Sequence, residues 1–336
     1  SPRRHCGSAR TGRPPPGRRP SREDFWGNPA DAALVVHFHV GSSRFEAACA
    51  AAHLEAQAPP CAYCLPTRFE SMDRRTKIVC TLGPATTDPE TLRRLVAAGM
   101  DVARMNFSHG THEEHRERVE TVREVAEAEG KGITVLQDLQ GPKIRVGAVQ
   151  NDSVMLAEGD EVRVSTDTPR ESTNEHIFID YEALARDARE GERILIDDGL
   201  LELRVIETNG SQLRATVVEG GPLRSRKGVN LPDLQASTPP MTEKDLKDLE
   251  LGLELEVDVV ALSFVQERSD VEALVHRIEE TGKKTSVVAK IEKPQAGHNI
   301  DEILEVVDGI MVARGDLGIA MPMEEVRGTQ TRLIRM

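Results

Sequence analysis

Two stretches place charge where an apolar run stops. Val287–Glu292 reads VVAKIE and Ile310–Gly318 reads IMVARGDLG. Side chains two apart on a strand point the same way, so Lys290 and Glu292 share a face. By the same rule Arg104, Asn106 and Ser108 share a face, as do Leu136 and Asp138. Glu292 and Asp316 suit a divalent cation held by only two protein ligands, with positions left for substrate oxygens. Arg104 and Lys290 suit the neutralisation of phosphoryl oxygens. Gly315 lets a carboxylate or phosphate approach backbone N–H groups at a turn before a helix. The competing reading is an internal salt-bridge network, because structural ion pairs also cluster. Lys77 and Thr81 read as ordinary strand positions.

These groups need strands that deliver them to one place. Thr76–Leu82, Asp101–Phe107 and Ile133–Leu139 read as strands, separated by helical patterns. Asp88 caps the first helix with Pro89 at its first position, and the second spans about 113–129. Such alternation predicts a parallel sheet or barrel, with functional groups at the strand ends. From about Ile144 to Leu231 the pattern becomes β-like and turn-rich, with Asp197-Asp198-Gly199 as a turn. This predicts a small inserted β domain. Thr242-x-x-Asp245 then reads as a capping box, Val257–Phe264 as strand four, and Ser269-x-x-Glu272 as the next cap. Ser286–Ile291 and Gly309–Ala313 are strands five and six, with a helix over Pro294–Val306 between them. A last helix begins near Met323. The predicted fold is α/β: a (β/α)8 TIM-type barrel, cut short after about strand six, with an inserted small β-barrel domain. Its parts are 72–143, the insertion 144–231, and 232–336.

Composition separates off the N-terminus. The 336 residues carry a net charge of −13, but residues 1–71 hold nine Arg, no Lys and six acidic residues, for +3. The remainder is therefore −16. Residues 1–22 are Arg/Pro/Gly-rich and expected to be disordered. Ala32–Val40 suits a short strand or helix, and Phe45–Ala58 an alanine-rich helix. The expectation is that 1–71 is an extension extraneous to the fold, with Met72 as the natural start. No run of about 18 apolar residues occurs, so no transmembrane helix is expected. The acidic balance argues against nonspecific nucleic-acid binding.

Six motifs in order carry a resemblance: KIVCTLGPAT, DVARMNFSHGT, DLQGPKIRVG, KGVNLP, VVAKIE and IMVARGDLG. Met72–Met336 resembles the pyruvate kinase family. The resemblance implies a barrel domain, a lid-like inserted domain and a C-terminal regulatory domain. It implies phosphoryl transfer from phosphoenolpyruvate to ADP, giving pyruvate and ATP, in the cytoplasm. By motif match, Glu292 and Asp316 hold Mg²⁺ (or Mn²⁺), Lys290 stabilises the phosphoryl group in flight, and Arg104 contacts the phosphate. Gly315 and Asp316 meet the substrate carboxylate. Asn106, Ser108, Asp138 and the Leu139 carbonyl match a monovalent-cation site. Asn106, His109, Arg145 and Lys227 match nucleotide contacts. The family is homotetrameric, and this chain lacks the C-terminal interface.

Three departures accompany it. Where potassium-dependent members have glutamate, this chain has Lys143, whose ammonium replaces the cation; K⁺ is expected to be dispensable. The family's threonine near the substrate methylene belongs to a segment after strand seven. The regulatory domain and its effector site are not in this sequence. Two alternatives stand beside the kinase: an inactive fragment retaining partial Mg²⁺ or phosphoenolpyruvate binding, and another phosphoenolpyruvate- or pyruvate-handling barrel, such as a carbon–carbon lyase. Cys61-x-x-Cys64 lacks the second ligand pair of a zinc site.

Overall fold

The computed structural model describes residues 76–167, 169–234 and 237–336, together with the backbone strand Val36–Phe38 (β1). The readings made for the rest of 1–75, Cys61 and Cys64 included, lie outside the described residues. Strand β1 runs parallel to β2 (Ile78–Leu82), with Val36 opposite Ile78. It sits on the edge of a seven-stranded sheet.

The first barrel segment follows the predicted alternation. After β2 comes helix α1 (Pro89–Ala98), whose N-cap Asp88 accepts a hydrogen bond from Thr91 N. Gly99 ends it in the left-handed conformation at φ 111°, which glycine adopts without a Cβ penalty. Strand β3 (Val102–Asn106), helix α2 (His112–Ala128) and strand β4 (Thr134–Asp138) complete this part. Thr111 and Glu114 close a reciprocal capping box at the start of α2.

The insertion folds around its own core. It contains β5 (Ser153–Leu156), β6 (Glu161–Ser165), β7 (His176–Phe178), the short helix α3 (Leu184–Asp187), β8 (Arg193–Ile196), β9 (Leu201–Thr208), β10 (Gln212–Glu219), β11 (Gly221–Arg224) and β12 (Val229–Asn230). Six of these strands form one mostly antiparallel sheet, ordered β12-β8-β9-β10-β6-β7, and β11 pairs with β5. Alternation in β9 puts Leu201, Leu203 and Val205 inside. The turn joining β8 to β9 strings three positive φ angles together, at Asp197, Asp198 and Gly199. Asp and Gly tolerate that region best.

The second barrel segment comprises α4 (Glu243–Glu254), β13 (Val259–Leu262), α5 (Arg268–Glu280), β14 (Ser286–Ile291), α6 (Pro294–His298), α7 (Ile300–Leu304), β15 (Gly309–Val312), α8 (Arg314–Ala320) and α9 (Met323–Ile334). Three local expectations change. The cap of α5 is Glu267, not Ser269: Asp270 Oδ2 accepts from the backbone N–H groups of Gln266 and Glu267. The helix expected over 294–306 is two short helices, divided at Asn299. Strand β13 stops at Leu262, because Phe264 turns into the left-handed region at φ 56°.

The barrel sheet is parallel throughout, in the order β1-β2-β3-β4-β13-β14-β15. Its outer face and the helices form the larger core. Its inner face carries a separate apolar layer of Val79, Val102, Leu136, Val259, Ala261, Val288 and Met311. Filling the interior with side chains in layers is how such barrels pack. The architecture is mixed α/β, a curled part-barrel of the TIM type with an inserted β domain.

Candidate active site

Two residues beyond that apolar layer, the same strand faces turn polar. Val79 is followed on its face by Thr81, Val102 by Arg104, Leu136 by Asp138, Ala261 by Ser263, and Val288 by Lys290 and Glu292. Register brings them level: Thr81 lies opposite Arg104, and Asn106 opposite Asp138. A polar ring therefore sits on an apolar floor, at the C-terminal ends of the strands.

The ring is closely paired. Arg104 Nε donates to Asp138 Oδ2 at 2.7 Å, its Nη2 pairs with the same oxygen, and its Nη1 donates to Thr81 Oγ1 at 2.7 Å. Lys290 Nζ lies 2.7 Å from Glu292 Oε1, 2.7 Å from Ser263 Oγ and 3.1 Å from Asp138 Oδ1. The second oxygen of Glu292 accepts from the backbone N–H of Phe264 at 2.8 Å. Arg104, Asp138, Lys290 and Glu292 are all buried. Thr81, expected to be an ordinary strand residue, is thus part of the site.

Burial decides the electrostatics. It pulls the Lys290 ammonium down, but Asp138 and Glu292 outweigh it and hold the group above its ordinary value. Burial pushes Glu292 up against the opposing effect of Lys290, and the nearby Asp316 and Asp138 carboxylates add to the rise. With Lys293, which neighbours Glu292, the cluster of Arg104, Lys290, Asp138, Glu292 and Asp316 holds three cations and three carboxylates. Among the described residues no group of three or more His, Cys, Asp or Glu side chains is arranged to hold a metal ion. Glu292 and Asp316 do line one cavity, which fits a divalent ion completed by substrate oxygens.

That cavity, about 260 Å³, lies between the strand ends and the insertion. Arg145, Lys227 and Lys143 line it from the side of the insertion. Lys227 Nζ is 2.9 Å from Asp197 Oδ1, and Arg145 Nη1 donates to the Arg226 carbonyl at 2.9 Å. Asp316 lies in the first turn of α8. At Gly315, beside it, a built Cβ would meet nothing within 4 Å, so the backbone is open to a ligand.

Of the predicted monovalent-cation residues, Asn106 and Asp138 lie opposite each other on β3 and β4. Asp138 Oδ1 is buried and aligned with no hydrogen-bond donor, though close enough to Lys290 for an ion pair. Asn106 Oδ1 accepts from Ser108 N at 3.1 Å, and the Leu139 carbonyl accepts from Ser263 Oγ at 2.7 Å. The cation beside Asp138 Oδ1 in this structure is the Lys290 ammonium. Lys143 is exposed on the cavity rim and makes no hydrogen bond or ion pair with Asp138, Asn106 or Ser108. His109 is not brought to the cavity. It is exposed, and its carbonyl meets Nε2 of the buried His115 at 2.9 Å.

Sequence reasoning missed Ser263, Phe264 and Lys293. Parity would have found Ser263, two residues after the interior Ala261. Nothing in the sequence announces the turn at Phe264. Lys293, next to Glu292, lines the cavity, and burial holds its ammonium below the ordinary value.

A curled parallel sheet that gathers an arginine, a lysine and carboxylates at its C-terminal strand ends has the layout of a TIM-type barrel enzyme. Comparison with known proteins narrows it. Residues 73–336 match the family model "Pyruvate kinase, barrel domain". Pyruvate kinase of Corynebacterium glutamicum is 46% identical over 266 residues, covering 79% of this chain and 56% of the relative. That of Mycobacterium tuberculosis is 47% identical with the same coverage. A crystal structure of a pyruvate kinase from Cryptosporidium parvum superimposes with a TM-score of 0.75 at 34% identity, covering 77% of this chain and 54% of that one. The chain belongs to the pyruvate kinase family, and it spans about half the length of the curated relatives it matches. No helix among the described residues is long and apolar enough to cross a membrane.

Proposed function

We propose that this chain carries the site for phosphoryl transfer from phosphoenolpyruvate to ADP, the last step of glycolysis. The observation that carries the reading is Lys290, held between Glu292 and Asp138 at the C-terminal end of a parallel barrel sheet. Glu292 and Asp316 would hold Mg²⁺ or Mn²⁺, which when bound would supply charge neutralisation for the transferring phosphoryl group. Arg104 binds the phosphate of phosphoenolpyruvate. Gly315 and Asp316 receive its carboxylate through backbone N–H groups. Lys290 stabilises the charge on the phosphoryl group as its bond to the enolate oxygen breaks and its bond to ADP forms. The enolate then takes a proton to become pyruvate. Arg145 and Lys227 approach the nucleotide phosphates, with Asn106 as a further nucleotide contact.

Asn106, Ser108, Asp138 and the Leu139 carbonyl form the monovalent-cation site, and Lys143 makes K⁺ dispensable. The domain division is 72–143, 144–231 and 232–336, and from residues 1–71, expected to be extraneous, the strand Val36–Phe38 joins the edge of the barrel sheet.

A coupled assay of pyruvate formation on the 336-residue chain, with Mg²⁺, phosphoenolpyruvate and ADP, tests the reading. Turnover abolished by Lys290→Met is the expected result. A second reading follows from the chain covering about half of its relatives: a fragment that binds but does not turn over. Mn²⁺ and phosphoenolpyruvate binding by calorimetry, without pyruvate formation, would select it.

A further inference from the structure

Strand β13 ends at Leu262, and the next two residues hold Lys290 of β14 and Glu292 just after it. Ser263 is buried at 3% exposure. Its Oγ accepts from Lys290 Nζ at 2.7 Å and donates to the Leu139 carbonyl at 2.7 Å. A hydroxyl has one proton, so donation to Leu139 leaves its lone pairs for Lys290. The ammonium thus donates to Ser263, pairs with Glu292, and lies within ion-pair distance of Asp138 Oδ1.

Phe264 directs the neighbouring carboxylate. Its N–H reaches Glu292 Oε2 at 2.8 Å, with φ at 56°. That region is costly for a bulky aromatic and persists only where the surroundings over-determine it. Gly141 clears the space. Its own φ is +71°, and a Cβ there would meet the Phe264 ring at 2.9 Å and Ser263 Cβ at 3.1 Å. A strained turn has thus been built into a close-packed cradle, and its two polar contacts go to Lys290 and Glu292.

We infer that the Ser263–Phe264 turn is a positioning element for the reaction: the Ser263 hydroxyl aims the Lys290 ammonium, and the Phe264 N–H aims the Glu292 carboxylate. The catalytic consequence rests on the kinase reading; the contacts themselves do not.

The test uses Ser263→Ala and Ser263→Thr in the full chain, with two readouts. Hydrogen exchange of the Lys290 ammonium, followed in ¹H–¹⁵N spectra, is expected to speed up about tenfold or more in the alanine variant, because one acceptor is lost. The threonine variant, which keeps the hydroxyl, restores slow exchange. The same alanine variant is expected to lose about 10- to 100-fold in kcat with KM for phosphoenolpyruvate nearly unchanged, since the lost contact acts on transition-state charge. Unchanged ammonium exchange overturns the inference, as does a rise in KM alone. If the wild-type chain shows no turnover, the kinase reading fails, while the exchange experiment still decides the Ser263–Lys290 contact.

Discussion

Lys290 Nζ lies 3.1 Å from Oδ1 of Asp138, on a strand that does not neighbour its own. Strand β13 stands between β4 and β14 and contributes Ala261 and Ser263 to the same face. Replacing Lys290 by Met leaves Asp138 and Glu292 buried without their shared cation. Losing one partner of a buried pair costs about 3 kcal/mol or more. We expect a loss of that order in urea unfolding, with activity falling roughly 100- to 1,000-fold as for other lost transition-state donors. Unchanged stability would mean that water already solvates the pair.

Gly141 is expected to tolerate no side chain. Gly141→Ala meets both a positive φ and the Phe264 ring at 2.9 Å. Left-handed strain and overpacking together predict a loss of about 2 kcal/mol or more. Chemical denaturation measures it, and an amide shift at Phe264 would show that the turn has moved.

Acid should weaken the fold through His115. The ring is buried, stacked on Phe107 with centroids 3.9 Å apart, and its Nδ1 has no hydrogen-bond partner. Nε2 must carry the proton to bond the His109 carbonyl. Burial lowers its pKa, and the Arg118 charge adds to this. With the folded value below the unfolded one, the unfolded chain binds more protons as pH falls. The contribution is present above about pH 6.5 and lost as pH falls through the folded value, at no more than about 1.4 kcal/mol per pH unit. Unfolding at stepped pH should show this slope, and His115→Phe should lack it.

Potassium should be dispensable. Lys143 stands on the cavity rim, free to bring its ammonium to the bound ligands. Replacing K⁺ by tetramethylammonium should leave the rate intact, whereas Lys143→Glu should introduce a potassium requirement. A collapse of the unmodified chain's rate without potassium would refute the proposal.

The edge of β2 offers another check. Parallel pairing with Val36–Phe38 covers backbone groups that an edge strand would leave open. Removing residues 1–71 should accelerate amide exchange over Ile78–Leu82 by about tenfold or more if the pairing persists in solution. Unaltered exchange would show that the extension adds nothing to the sheet.

Much of this protein follows from sequence through local rules. Strand–helix alternation set the parallel sheet. Asp88 and Thr242 marked helix starts because their side chains satisfy free N–H groups one turn on. Period-two alternation put Lys290 with Glu292 and Arg104 with Asn106 before any contact was known. Local rules misplaced the cap of α5, where Glu267 and Asp270 prevailed over Ser269, and they overlooked the conformation of Phe264, which no propensity favours. Only the tertiary structure decided who pairs with whom. Register and curvature bring Asp138 between Arg104 and Lys290, make Ser263 and Thr81 part of the site, and leave His109 outside the cavity. Those outcomes depend on strands far apart in the chain meeting at one level above an apolar floor, and a one-dimensional pattern of alternating faces carries no information about that height.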